Sequence, residues 1–133
     1  MNSSSKTRVG FSSPDAPRAV GPYSQAIASG DHLVLSGQTP IDPATGALVD
    51  EDIAGQTRRC FDNLGAVLAA ADLGFDDVVK VNVYLTSMAD FAAMNGAYAD
   101  MFTEPFPART TVAVAGLPLG ARIEIELVAR RPE

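Results

Sequence analysis

Residues 106–126 read FPARTTVAVAGLPLGARIEIE, and the alternation in this stretch decides the fold. Apolar residues recur at every second position on both sides of the turn formers Leu117-Pro118-Leu119-Gly120, which is the pattern of half-buried strands. We read it as two strands joined in a β-hairpin, with Val112, Val114, Ile123, Ile125 and Leu127 facing the core. With Pro118 and Leu119 at the tip, Arg109 pairs with Val128 and Ala113 with Glu124, and paired residues share a side. That register sets Arg109, Thr111, Glu124 and Glu126 on the opposite face. Arg109 and Glu124 then lie about 13 Å apart along the strand, at about 3.3 Å per residue, a gap that suits a small molecule. An arginine fork holds a carboxylate by two parallel hydrogen bonds, and a glutamate beyond it can hold a water or carry a proton. The pattern fits equally a solvated face, where Arg and Glu simply meet water. The small Thr111 and Ala113 between them, and Pro107 at the start of the strand, point toward a site.

Working outward, strand signals appear from Val9 to Ser12, from Tyr23 to Ala28 and from His32 to Gly37, the last two joined by a Ser29-Gly30-Asp31 turn. A loop rich in turn formers runs through Pro40, Asp42-Pro43 and Thr45-Gly46. The segment from Asp52 to Ala71 reads as a helix with the apolar stripe Ile53, Cys60, Leu64, Val67, Leu68 and Ala71, ended by a Gly74 cap. A strand from Val78 to Thr86 places Val79, Val81, Val83 and Leu85 inward against Lys80, Asn82 and Tyr84. Ser87 caps a second helix from Met88 to Phe102, with Phe91, Met94, Tyr98, Met101 and Phe102 as its buried stripe. Residues 1–8 read as a frayed tail. Helices interleaved with strands in this order cover one face of a mixed or mostly antiparallel sheet, a two-layer α+β domain whose other sheet face is bare.

The 133 residues, 47% of them hydrophobic, make a single domain spanning 1–133. Sixteen acidic against ten basic residues give a net charge of −6, and the basic residues are scattered apart from Arg58-Arg59 and Arg130-Arg131. Phosphate binding needs clustered cations, so this distribution excludes a nucleic-acid partner. A single Cys60 and a single His32 leave no internal disulfide and no metal-ligand cluster. His32 stands beside a turn with no serine or cysteine motif for nucleophilic catalysis. The start, MNSSSKTR, lacks the apolar run of a signal peptide, and no stretch approaches the ~18 apolar residues of a membrane span. We expect a cytoplasmic protein with no membrane partner.

Short motifs in a fixed order give a more specific reading. Pro107-Ala108-Arg109 followed by Ile123-Glu124-Ile125 resembles the signature of the RidA/YjgF family of enamine/imine deaminases. GPYSQA from Gly21 to Ala26, SGQ from Ser36 to Gln38, Asn63-Leu64, VNVYLT from Val81 to Thr86 and DFAAMN from Asp90 to Asn95 follow the same family's order. The resemblance covers nearly everything from Gly21 onward. It implies a chorismate-mutase-like fold, related to the ferredoxin-like fold, with a six-stranded mixed sheet covered on one face by two helices. It also implies a homotrimer with sites in the clefts between subunits, and no cofactor. By the same resemblance the substrates are 2-enamino and 2-imino acids such as 2-iminopropanoate and 2-iminobutanoate, hydrolysed to 2-oxo acids and ammonia. Arg109 clamps the substrate carboxylate, Glu124 positions the water and moves protons, and Tyr23 reaches in from an adjacent subunit. Ser36 and Gly37 form a strand end close to the ligand, and Asn95 reaches the cleft from the second helix. Many members carry a cysteine where this chain has Thr111, so a hydroxyl replaces a thiol for binding substrate there and thiol chemistry is excluded. Cys60, on a helix stripe, reads as an inert core residue.

Two other classes of function fit the same residues. One is a specialised catabolic relative acting on a larger enamine, amide or muconate-type acid, which keeps Arg109 and reshapes the rim around residues 103–106. The other is a non-catalytic ligand-binding or chaperone-like trimer. A ribonuclease or translation-inhibitor role fits least, given the net charge of −6.

Overall fold

The computed structural model describes residues 7–132, so most of the expected N-terminal tail lies outside the described residues. The elements run β1 (Val9–Phe11), β2 (Ala26–Ser29), β3 (His32–Gln38), β4 (Ile41–Asp42), β5 (Ala47–Leu48), α1 (Ile53–Ala70), β6 (Val78–Leu85), α2 (Phe91–Ala99), β7 (Ala108–Ala113) and β8 (Ile123–Arg130). Six strands form one mixed sheet in the order β1-β2-β3-β8-β6-β7, while β4 and β5 make a separate small ribbon in the turn-rich loop. Every neighbouring pair in the large sheet is antiparallel except β6 and β7, which are parallel.

Both helices cover one face. Leu33, Leu35, Val81, Val83, Ile123, Ile125 and Leu127 of the strands meet Cys60, Phe61, Leu64, Val67, Leu68 and Met94 of the helices in one buried cluster. Phe61 is fully buried, and its ring meets Phe75, Tyr98 and Phe102 edge-on at centroid distances of 5.6 to 5.8 Å. Edge-to-face contact suits the quadrupoles of such rings.

The expected hairpin does not form, because β6 lies between β7 and β8. Parallel strands need a crossover, and the turn at Met88–Asp90 followed by α2 supplies it between β6 and β7. Residues 114–122 then carry the chain past β6 to β8. Alternation sets the period of a strand but not its partner, and the changed partners move β7 relative to β8. Arg109 pairs with Val81 and Thr111 with Val83, so both side chains face the helices. Glu124 pairs with Tyr84 and Glu126 with Asn82, and these occupy the bare face. Val112, expected in the core, is 40% exposed on that bare face.

Smaller departures have local causes. A register shift between Val78 and Lys80 turns Val78 inward and leaves Val79 exposed, the reverse of the simple alternation. Asp52 caps α1 by accepting from Gly55 N–H at 2.9 Å. At the other end Asp72, with φ +60°, takes the left-handed position expected of Gly74. Its N–H donates to Ala69 C=O and that of Leu73 to Leu68 C=O, both at 3.0 Å, which satisfies the last carbonyls. Ser87 caps the second helical segment through Ala89 N–H, but regular helix ends at Ala99 rather than Phe102. Tyr23 precedes β2 and lies in a loop, not in a strand.

Candidate active site

Arg109 stands on the edge strand β7 beneath α2. Its guanidinium lies 4.6 Å from the centroid of the Tyr98 ring and 5.6 Å from that of Phe91. Aromatic faces attract a cation and fix its plane, so the two rings orient the fork. Among the described residues no carboxylate pairs with Arg109. It borders a cavity of about 510 Å³ lined also by Asn95, Tyr98, Ala99, Phe106 and Pro107. On α2 and β7 three buried polar atoms, Asn95 Oδ1, Tyr98 OH and Thr111 Oγ1, have no partner among the described residues, and Asn63 Oδ1 of α1 is a fourth. Buried polar atoms are nearly always bonded, so such a group marks where something else must arrive. Burial pushes the Tyr98 hydroxyl above its ordinary value, opposed by the charge of Arg109.

Glu124 belongs to a different cavity, of about 650 Å³, on the far side of the sheet. Tyr23, Gly37, Gln38, Thr39, Pro118 and Leu119 share its lining. A Cβ at position 37 would collide with the Glu124 carboxylate, so glycine there permits the carboxylate to lie against the β3 backbone. Burial, and then the neighbouring Glu126, raise the Glu124 carboxyl above the ordinary value of 4.5. Glu126 Oε2 accepts from Asn82 Nδ2 and from Tyr84 OH, each at 3.0 Å. Asn63 of α1 donates to Thr39 C=O at 3.3 Å and to Ile41 C=O at 2.9 Å, which holds the wall after β3 in place.

The expected site residues therefore divide into two groups within one chain. Arg109, Asn95 and Thr111 lie on the helix side; Glu124, Gly37 and Tyr23 lie on the other. The shared face read from the sequence is corrected: Arg109 and Glu124 aim into separate environments. Tyr23 is grouped with Glu124 of its own chain, half exposed, with its hydroxyl accepting from Val20 N–H at 3.4 Å. Ser36 stands at the end of β3 as expected, but its hydroxyl is engaged, donating to Ser24 C=O at 2.6 Å. The sequence reading placed Phe91 and Tyr98 in a core stripe and missed their contact with Arg109, since a ring beneath a cation and a ring in the core occupy the same helical positions. It also missed the Glu126, Tyr84 and Asn82 cluster, for which alternation of polar residues in two strands is the only signal. Cys60 is buried as expected, and burial pushes its thiol far up, so it is not a nucleophile.

Fold and cavities together define a small α+β domain with a cavity on each face of its sheet. Among the described residues no helix is long and apolar enough to cross a membrane. The chain belongs to the RidA/YjgF family, whose description is Endoribonuclease L-PSP and which matches residues 13–131. It is 51% identical to a RutC family protein of Pyrococcus horikoshii over 86% of this chain and 91% of that one. It is 45% identical to the 2-iminobutanoate/2-iminopropanoate deaminase of Salmonella typhimurium over 88% of this chain and 93% of that one. The crystal structure of the YjgF gene product from E. coli superposes with a TM-score of 0.87 at 41% identity, covering 93% of this chain and 99% of that one.

Proposed function

We propose that this protein hydrolyses small 2-imino acids, the tautomers of 2-enamino acids, to 2-oxo acids and ammonia, at a site completed by two copies of the chain. One copy supplies Arg109, with Asn95 and Thr111; the other supplies Glu124, with Gly37, Tyr23 and Ser36. A homotrimer, in which each bare sheet face meets a neighbour, provides three such junctions. The observation that carries this reading is the Arg109 guanidinium, oriented by two rings, facing a cavity and paired with no carboxylate of the described residues. A planar anion is its natural complement. The Salmonella typhimurium deaminase at 45% identity supports the choice of imine chemistry.

In this reaction water adds to the electrophilic C2 of the imine, giving a carbinolamine. Its collapse to the ketone expels ammonia. Arg109 fixes the carboxylate and so presents C2 in one orientation. Glu124, its carboxyl raised toward working pH, takes a proton from the attacking water and returns one to the departing nitrogen. An RNA substrate lacks the clustered cations it needs on a chain of net charge −6.

The test is to mix two inactive variants. Arg109→Ala and Glu124→Gln each lack one half, so co-refolded or co-expressed they regain about a quarter of wild-type imine hydrolysis if chains assort at random around each shared site. No recovery in mixed oligomers, with both variants folded and exchanging, overturns the two-copy site. A wild-type protein that consumes no imine generated by a dehydratase overturns the reaction itself.

A further inference from the structure

Two carboxylates, Glu124 and Glu126, project from β8 on the bare sheet face two residues apart, yet their surroundings differ. Glu126 Oε2 receives two hydrogens, from Asn82 Nδ2 and Tyr84 OH, each at 3.0 Å. An oxygen facing two donors is an acceptor and does not itself bear the proton. Tyr84 is kept as a donor: burial first, and then its bond to Glu126, raise its hydroxyl above the ordinary value. No comparable donor from the described residues reaches Glu124, which instead lies half-buried against the Gly37 backbone. Of the two carboxylates, only Glu126 is held by side-chain donors among the described residues.

We propose that Glu126, clamped by Tyr84 and Asn82, is a positioning residue for Glu124: a carboxylate held on the same face that helps Glu124 keep the proton it takes from the attacking water until the nitrogen leaves. This rests on the imine-hydrolase reading of the site. The other groups around Glu124 do not offset the clamp from close by. On β6, Lys80 turns its Nζ to Thr110 Oγ1 at 2.7 Å. β7 puts Ala108, Thr110 and Val112 on this face, none of them charged, and β3 with its following turn brings Gly37, Gln38 and Thr39. The loop before β2 contributes Tyr23 and the exposed Arg18 to the same cavity. Cys60 of α1 is buried on the other side of the sheet, and its thiol, pushed up by burial, stays neutral.

In catalysis the clamp acts in one half of the cycle. Protonated Glu124 donates to the amino nitrogen of the carbinolamine, the C–N bond breaks with its electron pair leaving on ammonia, and the hydroxyl oxygen closes the C=O bond as it loses its proton to solvent. The resulting Glu124 carboxylate then accepts a proton from the next attacking water. Without the charge at position 126, Glu124 gives up its proton at lower pH and is a weaker reservoir above neutrality.

The experiment follows the Glu124 side-chain carboxyl by 13C NMR across pH in the assembled protein, assigned by its disappearance in Glu124→Gln, alongside the pH profile of imine hydrolysis. We expect Glu126→Gln to move the Glu124 midpoint to lower pH and to lower kcat at pH 8 by about threefold to tenfold, with KM unchanged. Glu126→Asp, which keeps the charge, restores most of both. A Glu124 midpoint that stays put or rises in Glu126→Gln, with Glu126→Asp folded and behaving identically, overturns the proposal. The NMR arm is independent of turnover: a midpoint that moves as expected in a protein that hydrolyses no imine sustains the clamp and removes the reaction assigned to the site.

Discussion

The helix side of β7 and the bare face around Glu124 each border a cavity, yet each lacks what the other holds. On the helix side a cation is stacked on two rings, three buried polar atoms are unmatched, and no anion is within reach among the described residues. On the bare face a carboxyl is crowded against a glycine and faces a second carboxylate through its own strand. Within one chain the cation and the raised carboxyl stay on opposite faces of the sheet, so the reaction proposed above needs a second copy to bring them together. The difference teaches that one sheet can hold complementary charges on opposite faces, where no single copy of the chain joins them.

The largest expected effect tests the division directly. Arg109→Ala removes a bidentate, charge-assisted contact and lowers kcat/KM by roughly 10²-fold or more, and Arg109→Lys recovers little, because an ammonium lacks the fork. Glu124→Gln lowers kcat by about 10²- to 10⁴-fold with KM near wild type, as measured by steady-state assay of dehydratase-generated imine. A raised KM with kcat near wild type for Glu124→Gln would place it in binding and blur the contrast. Next, Gly37→Ala forces the Glu124 carboxylate off the β3 backbone; the end of the side chain can swing aside, so stability by chemical denaturation changes by less than about 1 kcal/mol while imine hydrolysis falls. A Gly37→Ala variant with full activity would show that the carboxylate has other room.

The pH dependence of stability sharpens the same comparison. Glu124 in the folded chain is raised above its ordinary value of 4.5, so its contribution to stability is full below that pH and is lost as pH rises through its folded midpoint. Glu124→Gln carries no such loss. Its Tm should match that of wild type at pH 4 and exceed it increasingly toward neutrality, by calorimetry across pH. The smallest effect belongs to Thr111→Val, which deletes a hydroxyl unmatched among the described residues. If substrate completes that hydroxyl, KM rises about fivefold, the equivalent of one hydrogen bond of about 1 kcal/mol, with kcat unchanged.

Much of the fold was legible in the sequence because burial repeats at the period of each element. The stripe of α1, the inward Val81, Val83 and Leu85, and the buried Ile123, Ile125 and Leu127 all follow from patterns within single segments. What escaped was long-range. Nothing in FPARTTVAVAGLPLGARIEIE says that another strand comes between its two halves, and inserting β6 is enough to send Arg109 and Glu124 to opposite faces. The identities of the site residues came from short motifs, whereas their grouping needed the sheet order. Asp72 in place of Gly74 is a similar case: aspartate tolerates the left-handed backbone well enough that the nearby glycine was a decoy.

The β4–β5 ribbon borders the Glu124 cavity through Ile41, Pro43 and Gly46, and it is anchored from behind, where Asn63 grips the carbonyls of Thr39 and Ile41. Its tip, by contrast, is an exposed turn with Gly46 at φ +74°. Lengthening or shortening that tip leaves the anchor untouched and the acid undisturbed, since exposed turns absorb insertions cheaply. Divergence toward bulkier or slimmer metabolites has an inexpensive route here: the molecule can be refitted at its hem while the chemistry stays sewn in place.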